Sequence, residues 1–158
     1  MKSTALLCFV LLCCTACKKD ILFDPSQATQ FTFGLFFGEC SDECIAAFRL
    51  NGDQLRRDTV PYYPGSLEDI DFVDAAYTST EIAQVQALLA DFPPSVWLRP
   101  QGPQGCVDCA DGGGLLLELT LDGESRHWSF DPSFDPESAD PEAVFFTELL
   151  VQVYQLAE

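Results

Sequence analysis

Four cysteines fall in two short frames, Cys40-x3-Cys44 within FGECSDEC and Cys106-x2-Cys109 within GCVDCADGGG. Cysteines at these spacings support three chemistries: thiol–disulfide exchange, zinc coordination by four thiolates, or structural bridging. Exchange needs an attacking thiolate, which a helix N-terminus creates by lowering the thiol pKa. Gly112-Gly113-Gly114 and a leucine-rich strand pattern follow Cys109 instead, and Asp108 and Asp111 oppose thiolate formation by like-charge repulsion. Four thiolates are the right number for a structural zinc site. Asp42, Asp108 and Asp111 with Glu39 and Glu43 offer oxygens suited to calcium, but no EF-hand frame is present and turn formation accounts for them. The compartment decides among these readings, because an oxidising one favours bridges.

The first residues, MKSTALLCFVLLCCTAC, have the layout of a secretory signal: a positive charge at Lys2, an apolar run from Ala5 to Leu12, and small residues Thr15 and Ala16 before Cys17. The uncharged stretch from Ser3 to Cys17 falls short of the roughly 20 residues a spanning helix needs. Cys14-Thr15-Ala16-Cys17 resembles the lipobox of bacterial lipoproteins, with Cys14 where that family usually has Leu. Lys18-Lys19-Asp20 is similar to the start of many Bacteroidota lipoproteins, where charged residues after the lipidated cysteine favour export to the surface. The resemblance implies removal of residues 1–16, acylation of Cys17, and anchoring to the outer membrane on its periplasmic or its surface face. Each buried methylene of the acyl chains would add about 0.8 kcal/mol to that anchoring.

For an exported chain, disulfides are the leading reading of Cys40, Cys44, Cys106 and Cys109. Local closure makes small rings, whereas cross-pairing closes loops of about sixty residues and would contribute roughly 4 kcal/mol. Cross-pairing is therefore the expectation. The frames Phe37-Gly38-Glu39-Cys40 to Cys44 and Gly105-Cys106 to Gly113 are similar to those of a group of small Bacteroidota lipoproteins, a resemblance that implies the domain limits but no activity.

Acidity narrows the partners. The chain carries 25 acidic residues against 8 Lys and Arg, for a net charge of −17, and loss of Lys2 makes it one unit more negative. Beyond Lys19 the fixed cations are Arg49, Arg56, Arg57, Arg99 and Arg126. Such a surface repels nucleic acid and anionic lipid headgroups.

The elements that must position the cysteines read as follows. Residues 17–28 form the lipidated cysteine and a tether of charge, Pro and Ser without a period, and residues 29–158 form one domain. QFTFGLFFG alternates Phe31, Phe33, Leu35 and Phe37 on one face of a strand. IAAFRL and DQLRRDTV flank Asn51-Gly52, and LLLELTL and ESRHWSF flank Asp122-Gly123, two hairpin signals whose central residues need positive φ. The segment VPYYPGSLEDIDFVDAAY is ambiguous between loop and short helix. Thr78 and Glu81 form a capping box before the helical stripe Ile82, Val85, Leu88 and Leu89, which Pro93-Pro94 ends. FPPSVWLRPQGPQG reads as a loop. Asp140 and Pro141 open a last helix with Val144, Phe145, Leu149, Val153 and Leu156 on its buried stripe. The order β-β-β-α-β-β-α predicts an α+β domain, an antiparallel sheet of about five strands with helices packed on one face. Both cysteine frames then precede strands and fall at one end of the sheet.

Other candidates carry less. His127 is the one histidine, in a strand with no nucleophile adjacent to it in sequence. Paired carboxylates for glycoside chemistry are arbitrary choices among so many acids. Trp97, in a proline-rich loop, suits a contact to a protein or glycan ligand, or a cap on the core. No P-loop or dinucleotide fingerprint appears, and the sequence implies no cofactor. It leans away from an enzyme and toward a disulfide-stabilised, lipid-anchored binding or envelope-structural module. Two alternatives stay open: a thiol oxidoreductase using Cys106 and Cys109, and an inhibitor or ligand-sequestering protein presenting Trp97.

Overall fold

The computed structural model describes residues 23–41, 43–109, 112–133 and 137–158, so the expected signal, Cys17, Asp42 and Asp111 lie outside the described residues. The fold is α+β. A mixed sheet is built from β1 (Ala28–Phe36), β2 (Ile45–Asn51), β3 (Gln54–Asp58), β4 (Phe72–Asp74), β5 (Gly102–Gln104), β6 (Gly114–Leu121) and β7 (Glu124–Phe130). Its spatial order is β4-β3-β2-β1-β6-β7-β5. Helices α1 (Ser79–Ala90), α2 (Pro94–Trp97) and α3 (Pro141–Ala157) complete it.

Two corrections to the sequence reading concern the sheet edges. The expected five antiparallel strands are the centre of a seven-stranded sheet, and edge strand β5 runs parallel to β7. Strands β4 and β5 have three residues each, too few to display alternation, and β5 contains Pro103, which an edge tolerates because one side of it needs no donor. The segment read as a loop after Pro93-Pro94 also holds α2, with Pro94 at its first turn, where a missing N–H costs nothing.

Both hairpins form, with different turn chemistry. Asp122 and Gly123 have φ of 53° and 80°, the pair of positive values that a type I′ turn needs. In the first hairpin Asn51 pairs with Gln54, so the central residues are Gly52 and Asp53, and among these Gly52 alone has positive φ. The turn sits one residue later than the Asn-Gly signal suggested, with glycine in the first central place.

One face of the sheet carries the main core. Phe31, Phe33, Leu35, Phe48, Leu50, Leu115, Leu117, Leu119, Trp128 and Phe130 project from the strands onto Val85 and Leu88 of α1 and Phe145, Phe146, Leu149, Val153 and Leu156 of α3. Period-2 alternation in the strands and a helical stripe in α3 meet there, which is why the helices share that face. Thr78 caps α1 in a complete capping box with Glu81, and Asp140 accepts from the Glu142 and Ala143 amides at the start of α3. The other face is covered by a loop. Leu67 and Ile70, with Val60, Tyr63 and Phe72, pack on Phe36, Ile45, Ala47 and Leu116.

Candidate functional site

The register of the sheet lines up a polar row across its loop-covered face. Asp74 faces Arg56, Arg56 faces Arg49, Arg49 faces Thr32, Thr32 faces Glu118, and Glu118 faces His127. The row is tied together by Arg56 to Asp74 at 2.9 Å, Arg49 Nε to the Thr32 hydroxyl at 3.0 Å, and Arg49 to Glu118 at 3.7 Å. Ser125 donates to Glu118 Oε1 at 2.7 Å. Arg49 lies over the Phe72 ring, 4.0 Å from its centroid. Burial lowers the Arg49 pKa and Glu118 partly restores it, and a guanidinium in this setting stays charged. Glu118 is thus held by charge from behind and by a hydroxyl from beside it.

A two-lobed cleft opens next to this row. The larger lobe, about 490 Å³, has an apolar floor and walls that include Phe36, Leu67, Pro103, Val107 and Leu116, with Cys106 and Cys109 at its rim. The smaller, about 350 Å³, is polar, with Ser66, Glu68, Gln101, Glu118 and Ser125 around it. Tyr63, Gly65, Leu67 and His127 line both lobes, so they meet along one edge. Tyr63 packs in a tilted arrangement on Phe36 at 4.4 Å between centroids, and burial raises its phenol pKa, keeping the hydroxyl neutral and able to donate. His127 is exposed, and the Gln101 side-chain oxygen accepts its backbone N–H. Apolar walls with a few fixed polar groups, in cavities of this size, are the make-up of small-molecule sites.

Cys106 and Cys109 line the larger lobe whereas Cys40 and Cys44 line neither, and the pairing of the four corrects an expectation. Cys40 bonds Cys44 and Cys106 bonds Cys109, with Cα separations of 5.6 and 5.4 Å, so the bridges are local and not crossed. Each loop folds back on itself through a residue with left-handed backbone, Glu43 at φ 35° and Asp108 at φ 58°, and this turn brings its own pair of Cα atoms within bridging range. Phe36 pairs with Gly114, so the two loops do leave the same end of the sheet, as the sequence suggested. They meet through a carboxylate and not through sulfur. A Cβ on Gly38 would lie 2.0 Å from Asp108 Oδ2 and would force that carboxylate to shift, and Asp108 Oδ1 accepts from the Gly113 amide at 3.0 Å.

Trp97 lies outside the cleft. Its ring is half-buried among Phe23 at 5.6 Å and Trp128 at 6.2 Å, with the Arg126 guanidinium 4.6 Å from its centroid. Arg126 also donates to the Trp97 carbonyl at 2.7 Å. Trp97 therefore caps the aromatic end of the core. Among the described residues, no three side chains of His, Cys, Asp or Glu are grouped to hold a metal ion, and no helix is long and apolar enough to cross a membrane.

Sequence reasoning passed over Tyr63, Leu67, Leu116 and Glu118, and set His127 aside. A signal for two of them was present: in LLLELTL and ESRHWSF the residues between the core-facing ones are Glu118 and His127, and pairing the strands through Asp122-Gly123 places them opposite each other. No protein-family model matches the chain, and no curated protein matches it.

Proposed function

We propose that this chain is a non-catalytic binding module of the cell envelope, anchored by lipid on Cys17, stabilised by two local disulfides, and binding a small ligand in the cleft on the loop-covered face of its sheet. The observation that carries the reading is the cleft itself: an apolar lobe joined to a polar one, with a wall fixed by the Cys106–Cys109 bridge. A wall that is already cross-linked loses little freedom when a ligand arrives, which favours affinity. The hydroxyl beside Glu118 is already committed: Ser125 donates to that carboxylate and accepts from Thr120.

Two experiments test this. A fragment library screened by amide NMR should shift Gly65, Val107 and His127 together, and Ser129→Trp, which fills the larger lobe, should abolish those shifts without lowering the melting temperature. Shifts that map elsewhere and survive the substitution would sink the cleft as the ligand site. In cells, Cys17→Ala should move the protein from the membrane fraction to the soluble one; a variant that stays membrane-bound removes the anchor from the reading.

One observation favours a second reading: both cysteines of the Cys106–Cys109 bridge are exposed at the rim of the cleft, where a thiol–disulfide oxidoreductase would need them. Strand β6 begins at Gly114, so no α-helix of useful length follows to acidify the thiol. A reduced Cys106 thiol titrating well below the free-cysteine value of about 8.5 would support exchange chemistry over binding. The third reading, an inhibitor presenting Trp97, is weakened by the packing of that ring against Phe23, Trp128 and Arg126.

A further inference from the structure

The cleft has a chemical polarity that narrows what it holds. Its apolar lobe offers Phe36, Leu67, Pro103, Val107 and Leu116 to a hydrocarbon or aromatic body, and its polar lobe offers carboxylates. Among the described residues, no lysine or arginine lines either lobe. Of the carboxylates, Asp108 is engaged by the Gly113 amide, and the charge of Glu118 is offset from behind by Arg49. Glu68 is exposed on the short turn Leu67–Asp69, which Leu67 anchors in the core, and supplies the polar lobe with a charge that no cation among the described residues offsets. Around this site the chain carries a net charge of −17, which draws cations toward it and repels anions. A bound carboxylate or phosphate would meet only like charge, whereas a protonated amine would meet Glu68 and Glu118 with hydroxyls from Ser66 and Ser125 alongside.

We infer that the cleft binds a cationic amphiphile, a small molecule with an apolar body seated over Leu116 and Val107 and a protonated amine directed to Glu68 and Glu118. This rests on the cleft being the ligand site, as proposed above, and adds the ligand's chemical class. Tyr63 and His127, shared by the two lobes, would flank the point where body and head join.

Three probes with one body and different heads separate the possibilities: 4-phenylbutylamine, 4-phenylbutanol and 4-phenylbutyrate, titrated into the full mature protein and followed by amide shifts and calorimetry. The amine should bind about fivefold tighter than the alcohol, the ratio that one partly exposed charge pair supports, and the carboxylate should bind weakest. Glu68→Gln should lower affinity for the amine toward that for the alcohol and leave the alcohol unchanged, which also shows that the variant is folded. Equal affinity for amine and alcohol, or preference for the carboxylate, with shifts still at Gly65, Val107 and His127, would overturn the cationic inference while leaving the cleft as a binding site. If none of the three shifts those residues, the inference and the cleft reading fall together.

Discussion

At Asp58 a side chain takes over the work of a backbone carbonyl. The β2–β3 ladder ends at Phe48 and Arg57, and at the next position the Asp58 carboxylate, 8 % exposed, accepts the Ala47 N–H at 2.7 Å. Burial raises the Asp58 pKa above the ordinary carboxylate value, while this hydrogen bond and the Arg57 charge pull it part of the way back. The folded state therefore holds the proton more tightly than the unfolded state. The stability that Asp58 contributes is full below the unfolded pKa, about 3.9, and falls as pH rises through the higher folded value. Asp58→Asn keeps the acceptor and removes the titration, so the stability of the native protein relative to this variant should fall as pH rises through the window above 3.9 and then level off. A difference that stays constant with pH would refute the assignment. Asp58→Ala should cost about 1 to 3 kcal/mol in urea unfolding, because the Ala47 N–H is left buried without a partner. Gly34 is constrained from the opposite direction: a Cβ there would stand 2.5 Å from the Ala46 carbonyl oxygen and 2.7 Å from Ala47 Cα, backbone atoms of the paired strand that cannot step aside.

Among the elements, the two cysteine loops and the cap of α1 make separable contributions. Rings closed over three or four residues restrict the unfolded chain less than crossed bridges would, so each should contribute about 2 kcal/mol by the loop-entropy estimate. Trypsin cuts after Arg49 and Arg57, which separates the two cysteine pairs into different peptides. Non-reducing mass spectrometry should find two unlinked peptides, each two mass units lighter than its reduced form; a linked pair would restore crossed connectivity. Thr78→Ala should destabilise the fold by about 1 kcal/mol, read as a shift in denaturation midpoint, because the Glu81 amide loses its acceptor. Hydrogen bonds from the Thr78 hydroxyl and amide lower the Glu81 pKa, so this stabilisation is present at neutral pH and fades as pH falls through that lowered value. These caps, the two hairpins and most of the core stripes were legible from the sequence because each is fixed by residues within a few positions of one another, although Val144, expected on the buried stripe of α3, is exposed and Phe146 is buried. The edge strands were not. Three residues of β4 and three of β5 take their strand geometry from Arg56–Asp58 and Trp128–Phe130, partners far along the chain. The cleft was equally hidden, since its walls come from 63–67 and 102–109 and its polar floor from Glu118 and His127. The pairing of the cysteines followed local turns at Glu43 and Asp108 that spacing alone does not disclose.

Over the whole molecule, charge and burial act in opposite directions. A net charge of −17 repels itself in the compact state, while the aromatic core of Phe31, Phe33, Phe48, Phe92, Phe145 and Trp128 supplies the countervailing burial. Salt should therefore stabilise this protein. Raising sodium chloride from near zero to 0.15 M, where the screening length contracts to about 8 Å, should increase the melting temperature, and the same series in the presence of 4-phenylbutylamine should weaken binding. A melting temperature that falls with salt would show that the favourable pairs of the polar row outweigh the repulsion.

The nine residues of β1 set a distance between two ends of the protein. At about 3.4 Å per residue the strand spans roughly 30 Å, from Ala28, five residues after the Phe23 that packs on Phe92 and Trp97, to Phe36, after which the Cys40–Cys44 loop begins and opposite which the Cys106–Cys109 loop enters β6. Hung from the proposed anchor at Cys17, the domain would turn its cysteine end away from the bilayer, and the strand would act as a stand-off. The rim of the apolar lobe at Cys106 and Cys109 would then stand clear of the headgroups and their screening cloud, and a ligand would reach it from the aqueous side without first partitioning into the membrane.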